Sequence, residues 1–173
     1  MQLPNFSLTQ KPLKPYSLIY LIKDNSVLLM QRISTKSLMA GVLLGLGGKV
    51  EPTEKLIPSV QREFYEETGL TIKNPALKGT FLWLDLKKQP GISYIFVAYS
   101  FTGEMKRDSP EGKINWYPIE NLKSNTNLAE YQKKFLPEIL YENSPWYCGL
   151  SVFHEDRMIE YTDNKISRQN TYV

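Results

Sequence analysis

The stretch GKVEPTEKLIPSVQREFYEETGL, from Gly48 to Leu70, decides the fold of this chain. Pro58 has no backbone N–H, so a helix tolerates it only in the first turn. Gly69 suits the left-handed position just past a helix end. These two residues predict a helix from Leu56 to Thr68. Apolar residues at helical spacing predict the face that packs on the core, namely Ile57, Val60 and Phe64.

A second face of this predicted helix is acidic. Glu63, Glu66 and Glu67 are three and four positions apart, so their carboxylates lie side by side. Arg62 precedes Glu66 by one turn and can pair with it. Clustered carboxylates repel one another unless a cation neutralises them, and their oxygens suit a hard cation such as Mg²⁺. A solvated acidic surface is the alternative interpretation, but the glycines on both sides of the helix favour a metal site.

The glycines and charged residues together match a longer pattern, G-x5-E-x7-R-E-U-x-E-E-x-G-U, in which U is apolar. A pattern with this many fixed positions is specific. The segment 48–70, called the box below, thus resembles the Nudix box of Nudix hydrolases, which cleave a nucleoside diphosphate linked to another group. The resemblance covers about residues 16–163. It implies an α/β (α+β) fold with a mixed β-sheet sandwiched between helices.

The GGKVE start of the box, a C-terminal helix and a final aromatic hairpin resemble the MutT and oxidised-purine nucleoside triphosphatase branch. The branch implies Mg²⁺-dependent hydrolysis of a nucleoside triphosphate such as 8-oxo-dGTP to the monophosphate and pyrophosphate, with Mn²⁺ as the alternative cofactor. Two other functions stay open: hydrolysis of another nucleoside diphosphate derivative, and a module that senses a nucleotide without cleaving it. The NADH branch is less favoured, because the SQPWPFP run is absent. The ADP-ribose branch is less favoured because its downstream proline is missing.

The resemblance also implies roles for residues around the helix. Arg62 would orient the glutamates, and Glu54 would support the loop or an outer metal site. Glu111, five residues before Trp116, would complete the metal shell or activate water, with Glu104 and Asp108 as competitors for that role. The implied metal ligands are the Gly47 carbonyl and the carboxylates of Glu63, Glu66 and Glu67.

Three positions outside the box are candidates for substrate binding. Arg32 ends a predicted strand and would contact phosphate, because guanidinium forms a charged fork toward anions; a plain surface charge is the alternative. Leu44 stands where some relatives read the purine with Asn, and its side chain cannot form that hydrogen bond. Glu130 is the only acid near the start of the last helix. The preferred base, the number of metal ions, the attacked phosphorus and the general base therefore stay open.

Apolar, β-branched and aromatic runs between turn residues predict the strands. The turn at 89–91 predicts a hairpin, and the near-continuous apolar run 92–99 predicts a central strand. Helical spacing predicts a helix over 128–141, with a kink or break at Pro137. His154 falls in a predicted turn, where histidine is usually solvated. The predicted strands are 16–22, 27–31, a short strand within 41–48, 77–86, 92–101, 114–117, 146–153 and 158–162.

Length and composition predict one domain, 1–173, with an irregular leader 1–15 and a C-terminal helix and hairpin over 128–163. The net charge of +3 is too mild to indicate a nucleic-acid polymer as partner and is compatible with a small nucleotide. Cys148 is the single cysteine, which excludes an internal disulfide. No run approaches the ~18 apolar residues of a membrane span, and no signal peptide is apparent. We therefore expect a cytoplasmic protein; its oligomeric state is open.

Overall fold

The computed structural model of the chain describes residues 12–33, 40–85, 89–154 and 157–166. Within these ranges a short 3₁₀-helix lies at Ile119–Asn121. The helices are α1 (Leu56–Thr68) and α2 (Glu130–Ile139). The strands are β1 (Lys14–Lys23), β2 (Ser26–Arg32), β3 (Leu43–Leu44), β4 (Leu70–Lys73), β5 (Ala76–Asp85), β6 (Gly91–Ala98), β7 (Ser100–Gly103), β8 (Gly112–Pro118), β9 (Trp146–His154) and β10 (Arg157–Ile166).

One large mixed sheet carries the fold. Its strands follow the order β10-β9-β5-β6-β1-β2-β3, and β8 pairs with β2. The β1–β6 and β5–β9 pairs are parallel, whereas the β5–β6 and β9–β10 hairpins are antiparallel, as the turns predict. β6 lies between β5 and β1, so its apolar sequence is that of a central strand.

The two helices cover opposite faces of this sheet. Side chains alternate between the faces along a strand. Tyr20 of β1 accordingly packs in one buried cluster with Phe135 of α2. Its neighbours Ile19 and Leu21 pack in a second cluster with Phe64 of α1. The predicted sandwich is confirmed, and it fixes α1 on the face that carries the box.

The box helix forms over the predicted residues. Gly69 adopts a φ of 73°, and its N–H donates to the Tyr65 carbonyl at 2.8 Å, which ends the helix. One prediction about the apolar face is wrong, because Ile57 is 42% exposed. Leu56 packs against the core in its place, in a row with the buried Val60 and Phe64, each one turn apart.

The predicted strand 92–101 is wrong in extent. The chain leaves the large sheet at Tyr99, and β7 pairs with β4 in a separate two-stranded sheet. The strand β4 was not predicted. It contains only two buried apolar residues, Leu70 and Ile72, which also serve as the end of the box pattern.

Three predictions at the ends of the chain need correction. α2 continues through Pro137 and ends two residues later, so the predicted break is wrong. A proline this near the end of a helix removes one hydrogen bond without stopping the last turn. His154 is the last residue of β9 rather than a turn residue, and Lys14 and Pro15 of the predicted leader begin β1. Residues 1–11 of that leader, and Leu86, lie outside the described ranges. None of the described helices is long and apolar enough to span a membrane.

Candidate active site

The chain enters the box beside β1. The N–H of Ser17 donates to the Gly48 carbonyl at 2.8 Å, which holds the glycine pair against that strand. Backbone groups of an extended segment alternate in direction. The N–H of Gly47 accordingly points toward α1, where it donates to Glu67 Oε2 at 2.9 Å. The loop and the acidic face of the helix are therefore in direct contact.

The close approach at both positions requires glycine. Gly47 has a φ of 130°, and a Cβ there would lie 2.3 Å from the Ser17 carbonyl oxygen. A Cβ at Gly48 would lie 2.2 Å from Glu63 Oε2. The first glycine is needed because of backbone conformation and a backbone neighbour, and the second because a carboxylate packs over it.

Arg62 joins several carboxylates of the box. Its Nη1 donates to Glu63 at 2.8 Å and to Glu66 at 3.4 Å, so the predicted pair with Glu66 forms. Its Nε and Nη2 donate to the two oxygens of Glu54 at 2.9 Å each. Sequence spacing does not indicate this shorter pair, because Glu54 lies in the loop before the helix and helical spacing does not apply to it.

Pairing of Arg62 with Glu54 shifts the pKa of both side chains. Hydrogen bonds from Arg62 lower the pKa of Glu54 from 4.5 to about 2, and those to Glu54 and Glu63 raise the pKa of Arg62. Glu54 is therefore a carboxylate at any physiological pH.

Glu67 has the opposite environment. Burial raises the pKa of Glu67 to about 8, with added repulsion from Glu111 and Glu63, while the Gly47 N–H and the charge of Arg32 act the other way. Among the residues that the structure describes, no Lys or Arg side chain forms a hydrogen bond or ion pair with Glu67, which accepts from the Gly47 N–H. A partly buried carboxyl in such a place favours the approach of a cation.

Two predicted residues from other parts of the chain meet beside Glu67. Arg32, at the end of β2, lies 3.6 Å from the carboxylate of Glu111, which immediately precedes β8. Antiparallel pairing of Arg32 with Gly112 brings these residues together. The charges of Arg32 and Glu111 both influence the pKa of Glu67. The sheet therefore places Arg32, the phosphate-binding candidate, and the additional carboxylate of Glu111 near the box.

The acidic residues have the chemistry of a site for a hard divalent ion. Glu63, Glu66 and Glu67 all supply carboxylate oxygens from neighbouring turns of α1. Among the described residues, no three Asp, Glu, His or Cys side chains converge on one point. Arg62 draws Glu63 and Glu66 to itself, and Glu67 accepts from Gly47. The donor types fit a divalent ion, and the roles of the individual ligands stay predictions.

A cavity of about 850 Å³ opens beyond the segment that leads into the box. Its walls are formed by residues 40–42, by the start of α2 with the preceding turn, and by the β9–β10 hairpin. Glu130 is one of the lining residues. In the described part of the chain, Gly41 and Val42 line the cavity, whereas Leu44 pairs with Met30 in the sheet. The substrate-binding role predicted at Leu44 is untested.

Residues 13–139 match the family model of the NUDIX domain. The chain belongs to the Nudix hydrolase family. Members of this family generally use divalent metal ions, which agrees with the donor types of the box. The match ends at the last residue of α2, so the β9–β10 hairpin lies outside it.

Comparisons with individual proteins agree with this Nudix assignment. The Bacillus subtilis protein named "Uncharacterized Nudix hydrolase YvcI" is 36% identical over 105 residues, which are 58% of this chain and 63% of that protein. The crystal structure of the MutT protein from Bacillus halodurans is 28% identical, with a TM-score of 0.76, covering 88% of this chain and 98% of that one. The resemblance to MutT-type Nudix proteins is confirmed at this level.

A third relative is named for a different activity. The NAD-capped RNA hydrolase NudC of Vibrio cholerae is 33% identical over 109 residues, covering 62% of this chain and 38% of NudC. The chain spans less than two thirds of the length of either curated relative.

Proposed function

We propose that this Nudix protein hydrolyses a nucleoside triphosphate to the monophosphate and pyrophosphate with Mg²⁺, and that its substrates include 8-oxo-dGTP or a related oxidised purine nucleotide. The complete box is the observation that supports this most. Glu63, Glu66 and Glu67 share one face of α1, and Arg62 hydrogen-bonds two of them. Similarity to the Bacillus halodurans MutT protein supports the choice of a triphosphate.

The arrangement suggests how the residues divide the work. Arg32 would bind a phosphate oxygen through its guanidinium, which is 36% exposed at the end of β2. Arg62 would hold Glu63 and Glu66 in position by hydrogen bonds. Glu111 would accept the proton of the attacking water at its carboxylate.

The residues that would hold the ion are Glu63, Glu66, Glu67 and the carbonyl of Gly47. When bound, Mg²⁺ supplies charge neutralisation at the phosphate oxygens and favours in-line attack by water.

A nucleotide panel tests the proposal. The protein would be incubated with Mg²⁺ and canonical and oxidised nucleoside triphosphates, and monophosphate and pyrophosphate would be quantified. Glu67→Gln serves as the inactive control for contaminating phosphatases. We expect pyrophosphate release with at least one member, and release of inorganic phosphate alone would contradict the proposed reaction. No turnover of any member by the wild-type protein would refute it.

A second candidate is hydrolysis of another nucleoside diphosphate derivative, favoured by the similarity to NudC. The same panel would include NADH, dinucleoside polyphosphates and ADP-ribose. Two nucleoside monophosphates as products from a dinucleotide, without turnover of triphosphates, would favour this candidate. A protein that only senses a nucleotide would bind a panel member tightly and leave it intact. The complete box argues against that third case.

A further inference from the structure

One wall of the 850 Å³ cavity comes from a part of the chain that the family match does not include. The match ends at Ile139, whereas Phe153, Arg157 and Met158 of the β9–β10 hairpin line the cavity. The start of α2 forms the facing wall. The hairpin is therefore a feature through which this chain can shape its own ligand preference.

Side-chain contacts fix the hairpin to α2. An ion pair and a cation–π contact join its second strand to the helix, and an edge-to-face aromatic pair joins its first strand. A wall that is held in place before the ligand arrives costs less ordering on binding. The contacts are Lys165 with Glu138, Lys134 over the Tyr161 ring at 5.8 Å, and Tyr131 with Phe153 at 6.3 Å between ring centroids.

The cavity adjoins the phosphate end of the candidate active site. The N–H of Gly41, a lining residue, donates to the Arg32 carbonyl at 2.8 Å. The charge of Arg32 acts both on Glu67 in the box and on Tyr131 in the cavity wall. A nucleotide with its phosphates at Arg32 would therefore extend its nucleoside half into the cavity. The volume lies within the range of small-molecule sites.

The charged groups of the cavity restrict which base fits. A glutamate carboxylate such as that of Glu130 accepts hydrogen bonds, whereas the side chains of Arg157 and Lys133 can only donate them. Unoxidised guanine offers adjacent N–H donors on one edge and the O6 and N7 acceptors on the other. Arginine pairs with those two acceptors through both arms of its fork. In 8-oxoguanine N7 carries a hydrogen, so only O6 of this pair can accept from the arginine. Adenine has a ring-nitrogen lone pair beside its amino group, which a carboxylate repels.

We propose that the β9–β10 hairpin is part of the substrate site and that Arg157 is a specificity-determining residue that binds the O6 and N7 acceptors of unoxidised guanine. This rests on the proposed function, because it assumes a nucleotide whose phosphates lie at the box. The sequence pattern missed Arg157, since nothing in the box or its spacing points to a residue of the final hairpin.

Steady-state kinetics of Arg157→Ala with GTP and ATP and Mg²⁺ tests the proposal. Lys123→Ala, which removes an exposed cation outside the cavity, is the matched control. For Arg157→Ala we expect KM for GTP to rise about tenfold, kcat to stay within about twofold, and the GTP-over-ATP preference to fall. Arg157→Lys keeps the charge without the fork and should lie in between. Equal changes for GTP and ATP, or no change beyond that of Lys123→Ala, would overturn the proposal.

Binding without turnover separates this proposal from the proposed function. GMP and AMP would be titrated calorimetrically into the wild-type and Arg157→Ala proteins without metal ions. If no triphosphate is hydrolysed but Arg157→Ala weakens GMP binding about tenfold and spares AMP, the hairpin proposal stands and the proposed function fails. If triphosphates are hydrolysed and GMP binds both proteins equally, or does not bind the wild type, the hairpin proposal fails alone. Equal thermal midpoints establish that the variant is folded.

Discussion

Arg62 donates two hydrogen bonds of 2.9 Å to Glu54, one to each carboxylate oxygen. Planar guanidinium and carboxylate groups match in this geometry, which fixes the orientation of the arginine. The remaining nitrogen of Arg62 then points to Glu63 and Glu66. Glu54 thus acts on the metal-binding candidates indirectly, by holding the arginine that holds them.

We predict that Arg62→Lys lowers activity although the charge is kept. An ammonium group cannot bind both oxygens of Glu54 and still reach Glu63 and Glu66. Loss of a group that orients metal ligands typically costs ten- to a hundredfold, so we expect about tenfold or more, with a higher Mg²⁺ concentration at half-maximal rate. Titration of activity with Mg²⁺ measures both effects. Arg107→Lys, at an exposed loop position, is the control. Equal Mg²⁺ dependence in the two variants would show that Arg62 supplies charge only.

The Arg62–Glu54 pair predicts that the free energy of unfolding depends on pH. Arg62 lowers the folded-state pKa of Glu54 from 4.5 to about 2. A lowered carboxyl pKa stabilises the folded state above the unfolded value, so the contribution is full above about pH 4.5 and fades as the pH falls toward 2. The stability gap between wild type and Glu54→Gln should therefore narrow over this window. Urea unfolding of both metal-free proteins at pH 6, 4 and 3 measures it. A gap that stays constant would mean that the pair contributes no charge-dependent stability.

We predict that Glu67 is required for catalysis and Glu54 less so. Glutamine at position 67 keeps the size of the side chain but removes the charge that would bind Mg²⁺. Loss of one electrostatic group commonly costs on the order of 100-fold in rate. Folding should survive, because burial disfavours the charged form of Glu67 in the metal-free protein and the glutamine amide oxygen can still accept from the Gly47 N–H.

Glu54→Gln is the matched comparison for this experiment. It removes a box carboxylate that lies before the helix and contacts Arg62 rather than Gly47. The measurements are kcat, Mg²⁺ dependence and the metal-free thermal midpoint of both variants. Near-normal turnover by a folded Glu67→Gln protein would mean that the acidic face of α1 is only a solvated surface.

Elements whose bounds depend on residues close together in the sequence could be predicted from the sequence. The bounds of α1 followed from Pro58 and Gly69, because both act through their own backbone chemistry. The central position of β6 followed from an apolar run that needs two covered faces. Contacts between residues far apart in the sequence could not be predicted from local patterns. Lys78 is an example: this residue is buried, and its Nζ donates to the carbonyls of Tyr141 and Glu142, which follow α2, at 2.7 Å.

The candidate active site likewise contains residues that the sequence predicts and contacts that it does not. Helical spacing predicts the shared face of Glu63, Glu66 and Glu67, and the resemblance to the family adds Arg32 and Glu111, which the sheet brings within 3.6 Å of each other. The Arg62–Glu54 pair and the hairpin wall of the cavity depend on how the loop and the last two strands pack. Local patterns do not encode such packing, so these contacts became visible only in the folded structure.

Substitutions at Gly47 and Gly48 should separate effects on thermal stability from effects on activity. A Cβ at Gly47 would meet the Ser17 backbone oxygen at 2.3 Å, and its φ of 130° strains any other residue. The three heavy atoms nearest to a Cβ at Gly48 would all belong to the Glu63 carboxylate, at the flexible end of a side chain. We therefore predict that Gly47→Ala lowers the thermal midpoint and activity together. Gly48→Ala should keep a near-normal midpoint but displace Glu63 and raise the Mg²⁺ requirement about tenfold. Melting curves and Mg²⁺ titrations of both variants test this. A Gly48→Ala protein with a normal midpoint and a normal Mg²⁺ titration would remove Glu63 from the proposed metal site.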